Sequence, residues 1–353
     1  MKINKINSFL VSYTSKCNLS CEHCIVDCGP ERNEKLGFEK VLSFVRDLKN
    51  FEVTNVNFTG GECTLFFDEL LKIISVGKKQ GISSGIITNG FWGYSKKNAE
   101  RMVSGLAKAG LKELWISVDE FHLKFIPMKS IFNIVDAVQK KKKKIKVYLK
   151  FAYSKNSSVL DFVKENSEYF KNLKKMPLTK DLFIATQPLI PLGRAFKNVP
   201  KQSYLVEHET HAIPCNFLGN PFLNFDGNAF CCCNASGLNN PFQDPFFLGD
   251  NSSSLEELVS VYQESLFVFY LRVKGPYFIE MLARKHKLKK VNKVKNLLSK
   301  YIGGCDFCVL NLSQYQKAAV DVMLLNEFNK DRKMQELAKK ESKKFQIQGK
   351  ESE

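Results

Sequence analysis

The feature that most constrains this fold is an alternation, over the first 190 residues, of short apolar runs with longer amphipathic ones. The apolar runs are Phe9–Tyr13, Val53–Phe58, Gly85–Thr88, Glu113–Val118, Lys146–Ala152 and Leu182–Thr186. Between them the helical period recurs near Phe38–Asn50, Phe67–Gln80, Lys96–Ala109, Ser130–Lys142 and Leu160–Leu173. Gly81 and Gly110 stand where helix C-caps belong, because glycine accepts the left-handed conformation that ends a helix. Consecutive strands joined through helices must run parallel, so the pattern predicts an α/β fold with a parallel sheet. Six units rather than eight predict a partial (β/α)6 barrel, with its chemistry at the C-terminal ends of the strands.

The pattern changes after Pro191. Residues 214–250 are rich in Pro, Gly, Asn, Phe and Cys, which suits irregular structure, and residues 255–298 are helical again. The tail from about Gln314 is helical and then highly charged, with fraying expected over its last ten or so residues. This gives a barrel core over 1–195, a Cys-rich module with a helical insertion over 196–312, and a C-terminal helix and tail over 313–353. No apolar run reaches the roughly 18 residues a membrane span needs, and no apolar signal segment follows the first lysines. A cytoplasmic location without a membrane partner is the expectation.

Eleven cysteines in a reducing compartment point to metal ligation or thiol chemistry rather than disulfides. They cluster as Cys17, Cys21, Cys24 and Cys28, then Cys215 with Cys231, Cys232 and Cys233, then Cys305 with Cys308; Cys63 stands alone. Cys17, Cys21 and Cys24 have the spacing C-x3-C-x2-C directly after the first strand. Such close local spacing suits thiolate ligation of an iron–sulfur cluster. Three ligands for four irons leave one iron open to a small molecule. A structural zinc site with Cys28 as fourth ligand is the competing reading.

In this setting the chain resembles the radical S-adenosylmethionine (radical SAM) superfamily. Gly60-Gly61-Glu62 at the end of the second strand resembles the motif that contacts the methionine amino group of SAM. Glycine fits there because a backbone without Cβ approaches a ligand closely. Thr88-Asn89 after the third strand and Ser117-Val118-Asp119 after the fourth lie where the family meets the ribose or methionine moiety. Gly193-Arg194-Ala195 resembles a further segment, in which the resemblance suggests that Arg194 pairs with the SAM carboxylate. His23 takes a place usually held by an aromatic side chain, packing near cluster and adenine. Cys63 stands where the family usually has proline, and reads as a small residue filling a turn.

Phe225-Asp226-Gly227 reads as a hairpin turn whose return strand delivers the cysteine triplet. Cys215 and Cys232 from that hairpin, with Cys305 and Cys308 from a later loop, resemble the ligand set of a single auxiliary [4Fe–4S] cluster in peptide-modifying radical SAM enzymes. Cys231 or Cys233 can replace Cys232 in that register, and a zinc site is again the alternative. A closer similarity, in Asn89–Lys97, Ser117–His122 and the Gly-x4-Cys-Cys ending at Cys233, is to radical SAM peptide epimerases.

That resemblance implies a ribosomally made precursor peptide as substrate, an external one-electron reductant, and Cys233 as hydrogen donor beside the ligand Cys232. A 5′-deoxyadenosyl radical would take a Cα hydrogen, and the thiol would return one from the opposite face to give the D-residue. Peptide crosslinking by a thioether or carbon–carbon bond is the alternative within the fold. The net charge of +17 also raises a zinc-containing nucleic-acid-binding protein. No recognition-helix or stacking-sheet signature accompanies that charge, so nucleic acid is not expected. The dense run Lys140–Lys144 sits at a helix end, where it complements the helix dipole.

Overall fold

The computed structural model describes residues 1–140, 145–174, 181–205, 214–215, 218–233, 244–291 and 304–350. They fall into two compact units. One is Leu10–Leu205; the other joins Met1–Phe9 to the described residues of the C-terminal stretch.

The first unit carries strands β1 (Phe9–Ser12), β2 (Asn55–Thr59), β3 (Ser83–Thr88), β4 (Glu113–Ser117), β5 (Lys146–Tyr153) and β6 (Leu182–Pro188), which neighbour one another in chain order. The pairs from β2 to β6 are parallel. Helices α1 (Phe38–Asp47), α2 (Phe67–Lys79), α3 (Lys96–Ala109), α4 (Glu120–Leu123), α5 (Met128–Lys140), α6 (Val159–Glu165), α7 (Ser167–Lys174) and α8 (Arg194–Asn198) connect or follow them. This is the parallel sheet with helices that the alternation predicts, consistent with a partial barrel.

The register follows from side-chain packing. Trp115, Tyr148 and Phe183 are paired across β4, β5 and β6. Their rings stack at 3.9 Å and 5.0 Å between centroids, a cross-strand ladder that disfavours slippage. α3 buries Ala99, Met102, Val103, Leu106 and Ala109, one helical stripe, and ends on Gly110 at φ 111°. The lysines 141–144 of the basic run lie outside the described residues.

In the second unit, β7 (Phe222–Leu223) and β8 (Ala229–Phe230) form an antiparallel hairpin, and β9 (Phe247–Gly249) pairs with β8. The turn lies where the sequence predicts it: the Asn224 N–H donates to Asn228 O at 2.8 Å, and Gly227 takes φ 87°. Six helices follow among the described residues: α9 (Leu255–Glu264), α10 (Leu266–Lys274), α11 (Pro276–Lys285), α12 (Gly304–Leu312), α13 (Lys317–Lys330) and α14 (Arg332–Lys350). The Asn4 amide donates to the carbonyls of Tyr262 and Ser265, tying the N-terminal residues to the α9–α10 corner.

Two expectations are corrected here. Cys305 and Cys308, expected on a loop, lie in the first two turns of α12, because Phe307, Val309, Leu310 and Leu312 bury an apolar surface that extends the helix back past them. The last ten or so residues, expected to fray, are helical as far as Lys350, in a helix anchored further back by buried Met334 and Ala338 and by Glu341, 3.4 Å from Arg272.

Candidate functional site

The first cysteine group sits on the loop between β1 and α1, and the loop is closed on itself. The Cys17 N–H donates to Gly29 O at 3.1 Å, and the Gly29 N–H donates to Ser15 O at 3.2 Å. Two later segments clamp it. From the end of β2, the Gly61 N–H donates to Thr14 O at 2.6 Å and the Glu62 N–H to Lys16 O at 2.9 Å. This contact explains both glycines. A Cβ on Gly61 would lie 2.2 Å from Lys16 O, and one on Gly60, at φ 134°, would lie 2.4 Å from Thr14 O. Here the close approach is to the chain's own cysteine loop.

The second clamp is Gly193-Arg194. The Arg194 N–H donates to Cys24 O at 2.9 Å, its guanidinium donates to Cys28 O, and its Nε lies 3.2 Å from an Asp27 carboxylate oxygen. Gly193 takes φ 57°, and a Cβ there would meet Ile25 O at 2.2 Å. Arg194, which the resemblance pairs with the SAM carboxylate, here holds the cysteine loop through these contacts. Nothing in the sequence flagged Asp27 or Cys28 as its partners, since they lie far from it along the chain.

The Glu62 carboxylate is fully buried and accepts from the Asn89 N–H at 2.8 Å, the Thr88 hydroxyl at 2.9 Å and the Thr64 hydroxyl. Burial raises its pKa above the usual carboxylate range, and these donors work against that shift. One carboxylate thus joins the ends of β2 and β3. The Asn89 side chain then reaches the cysteine loop, donating to Asn18 Oδ1 at 2.9 Å and standing 3.8 Å from Cys17 Sγ. Asn18 escaped the sequence reading, although its place beside Cys17 is the signal that pointed to it. Cys63 fills the turn after Glu62, fully buried as expected.

Ser117 is buried at the end of β4. Asp119 caps α4, accepting from the Phe121 and His122 N–H groups at 3.2 Å each. Its carboxylate lies 2.8 Å from His122 Nδ1 and 3.5 Å from His23 Nε2. Burial pushes the Asp119 carboxyl up, but the two histidines outweigh it and hold the group well below the usual range. His23 stacks on Phe121 with centroids 4.5 Å apart. Its Nδ1 is buried and has no partner among the described residues. A buried ring nitrogen of this kind is what a bound polar group would satisfy.

Cys17, Cys21 and Cys24 shift one another's ionisation, so their sulfurs share one neighbourhood. Burial pushes the Cys17 and Cys21 thiols from 9.0 up to about 12. Two buried thiols pushed up in this way are a poor place for bare thiolates, and the positive charge of iron is what would make them stable there. The residues therefore fit the cluster chemistry expected of them. The Leu19 N–H points to Cys17 Sγ at 3.4 Å and the Cys28 N–H to Cys24 Sγ at 3.4 Å, the donors that coordinated thiolates accept.

In the second unit, the Cys215 N–H donates to Leu271 O at 3.0 Å, and the Cys231 N–H donates to Phe246 O at 2.8 Å, extending the β8–β9 ladder. Cys305 and Cys308, three apart on α12, share a helix face near its N-terminus, where the dipole favours thiolates. The Cys308 thiol is raised by burial first and then by Cys215, Cys305 and Cys231; Cys232 is raised by its contact with Cys233, by burial and by Cys305. The three sequence-distant segments therefore come together. Cys231 is fully buried among them, while Cys232 and Cys233 are partly exposed. Asp244 is buried in the same neighbourhood, and burial raises its carboxyl to about 7; no motif in the sequence marks it.

Two outcomes follow. Gly61→Ala should cost about 2–4 kcal/mol in urea unfolding, since its Cβ overlaps backbone rather than a movable side chain. In metal-free protein, Cys17 and Cys21 should react slowly with iodoacetamide at about pH 8, gaining about tenfold in rate per pH unit. Because their folded values are raised, this contribution to metal-free stability is intact below 9.0 and is lost as pH rises towards about 12. Peptide mapping of the alkylated chain and urea titrations across that range check both.

Comparison with known proteins agrees with this arrangement. The family model of the Radical SAM superfamily matches residues 11–176, the stretch that holds the cysteine loop and β1 to β5. A putative peptide biosynthesis protein, YydG of Bacillus subtilis (strain 168), is 27% identical over 290 residues, covering 79% of this chain and 85% of that protein. A GTP 3′,8-cyclase of Clostridium botulinum is 30% identical over 216 residues, covering 58% of this chain and 63% of the cyclase. Among solved structures, hexahistidine-tagged anSMEcpe with bound AdoMet shares the fold at TM-score 0.51 and 16% identity, covering 95% of this chain and 99% of that one. With the cysteine loop, the glycine clamp and the parallel sheet in place, residues 11–176 are a radical SAM domain.

Proposed function

We propose that this radical SAM enzyme epimerises residues of a ribosomally made peptide, inverting L-residues to D-residues with Cys233 as the hydrogen donor. The observation that carries the reading is the extent of the likeness to YydG, a putative peptide biosynthesis protein: it covers 79% of this chain. The likeness to the cyclase covers 58%.

In this reading Cys17, Cys21 and Cys24 hold the SAM-binding [4Fe–4S] cluster. Gly60, Gly61 and Glu62 fix their loop, and Thr88, Asn89, Ser117, Asp119, Arg194 and His23 surround the cofactor. Cys215, Cys232, Cys305 and Cys308 hold one auxiliary cluster. When bound and reduced, cluster and SAM together supply a 5′-deoxyadenosyl radical able to remove a Cα hydrogen.

The chain's own task is then to return a hydrogen atom to the opposite face. A Cα radical flanked by two amides is nearly planar and has lost its handedness, so the face of delivery sets the configuration. An S–H bond is weak enough for that transfer, and the thiyl radical left on Cys233 regains its thiol by taking one electron from the external reductant and one proton from solvent. Cys233 is partly exposed rather than buried, as a donor must be to meet a peptide. It directly follows Cys232, a proposed cluster ligand, in the chain, which supports the reading. The peptide and an external one-electron reductant are the partners this chemistry needs. Among the described residues no helix is long and apolar enough to cross a membrane.

Turnover in deuterated water separates this reading from crosslinking. An epimerase adds one deuterium at Cα per inverted residue and makes no other mass change. Cys233→Ala should cleave SAM yet lose D-residue formation by at least about 100-fold, on the scale of a lost reacting group. A product lighter by two hydrogens would instead mean a thioether or carbon–carbon crosslink.

A further inference from the structure

Radical chemistry does not account for the net charge of +17, and the end of α11 concentrates it in Arg284, Lys285, Lys287 and Lys289. Cations in the last turn of a helix complement its dipole, which accounts for Arg284 and Lys285. Lys287 and Lys289 stand beyond that turn. Lys287 takes φ 53°, the left-handed backbone in which glycine ordinarily ends a helix. The turn is fixed there: the Lys287 N–H donates to Arg284 O at 3.0 Å and the Leu288 N–H to Ala283 O at 2.9 Å.

These charges face solvent. Lys285, Lys287 and Lys289 are exposed, and among the described residues no carboxylate lies within ion-pair distance of them. Arg284 is anchored from below: its Nε lies 2.8 Å from the carboxylate of Glu280, which is 1% exposed, while the arginine side chain stays 67% exposed. A buried acid thus holds one edge of the guanidinium and leaves the rest for an anion. On the same helix face, at the spacing i, i+4 and i+7, stand Tyr277, Met281 and Arg284, with Tyr277 44% and Met281 47% exposed.

We propose that this face of α11, with the turn that ends it, docks an acidic segment of the precursor peptide. Carboxylates of that segment meet the four cations, and its apolar side chains meet Tyr277 and Met281. This rests on the reading of the enzyme as peptide-modifying. Charge complementarity selects an anionic partner. The thioether of Met281 adapts to varied apolar side chains, which suits a peptide. Single-stranded nucleic acid would need successive exposed rings to stack on. Tyr277 offers one such ring, set at 45° to Phe307 with centroids 6.3 Å apart.

The test is fluorescence anisotropy with the anaerobically reconstituted full chain, without SAM. The probe is a fluorescein-labelled synthetic peptide with leucine at helical spacing and glutamate between; labelled oligothymidine is the second probe. Three variants are compared with the parent: Lys285→Glu with Lys287→Glu and Lys289→Glu; Lys108→Glu with Lys112→Glu and Lys146→Glu, exposed lysines of the first unit that carry the same change in charge; and Tyr277→Ala with Met281→Ala. Arg284 stays in place because buried Glu280 depends on it. The parent should bind the peptide, the local triple at least about tenfold more weakly, the distant triple within about twofold of the parent, and the apolar pair about threefold more weakly. If the local triple loses its circular-dichroism signature, glutamine at the same three positions decides by the same comparison. Equal weakening by both triples would mean attraction by net charge alone and overturns the proposal. Unchanged binding by the apolar pair, or local-triple-sensitive binding of oligothymidine without binding of the peptide, also overturns it. A crosslinked product in deuterated water would sink the epimerase reading and leave this docking surface standing. Absent peptide binding in protein that still cleaves SAM overturns the docking surface alone.

Discussion

The first unit depends on a short backbone contact: the end of β2 is hydrogen-bonded to the start of the cysteine loop, with no side chain between them. Gly61 N–H to Thr14 O and Glu62 N–H to Lys16 O are ordinary bonds in kind, at 2.6 and 2.9 Å. Their consequence is that a polar, cysteine-bearing segment becomes an extension of the sheet. A loop of this length would otherwise lose much conformational freedom on ordering. Fixing it from β2 and again from Gly193-Arg194 lets three sulfurs converge before any metal arrives. The buried Glu62 carboxylate continues the same logic to Thr88 and Asn89, so the ends of adjacent strands and the thiol loop form one hydrogen-bonded body.

Much of this was legible in the sequence because its physical causes are local. Strand and helix placement followed hydrophobic period, and α3 runs from Lys96 to Ala109 as read. Elsewhere local context moved the edges: β2 begins at Asn55, not Val53, because Glu52 adopts a left-handed backbone, φ 59°, at the end of the preceding 3-10 turn. The sequence reads Cys305 and Cys308 as part of a loop, whereas burial of Phe307, Val309 and Leu310 makes those cysteines helical. Site residues were legible as motifs but not as contacts. The glycines at 60 and 61 read as making room for a ligand; what no motif shows is that they also clear the carbonyls of Thr14 and Lys16. The partners of Arg194, the pairing of Asp119 with His23 and the burial of Asp244 all depend on distant segments meeting, which no spacing rule encodes.

The second unit repeats the theme with different parts. A hairpin turned by Gly227 and the first two turns of α12 bring cysteines from three stretches into one neighbourhood. Just past the end of β8 the chain passes from buried Cys231 to partly exposed Cys232 and Cys233.

The central claim is that the three sulfurs of the first loop hold a cluster with one iron free for SAM. It is tested most directly by incubating anaerobically reconstituted protein with SAM and dithionite and measuring 5′-deoxyadenosine and methionine by chromatography. The account predicts both products in equal amounts, abolished when Cys17, Cys21 or Cys24 is replaced by alanine. Absence of cleavage in iron-loaded protein, or cleavage that survives those replacements, would contradict it.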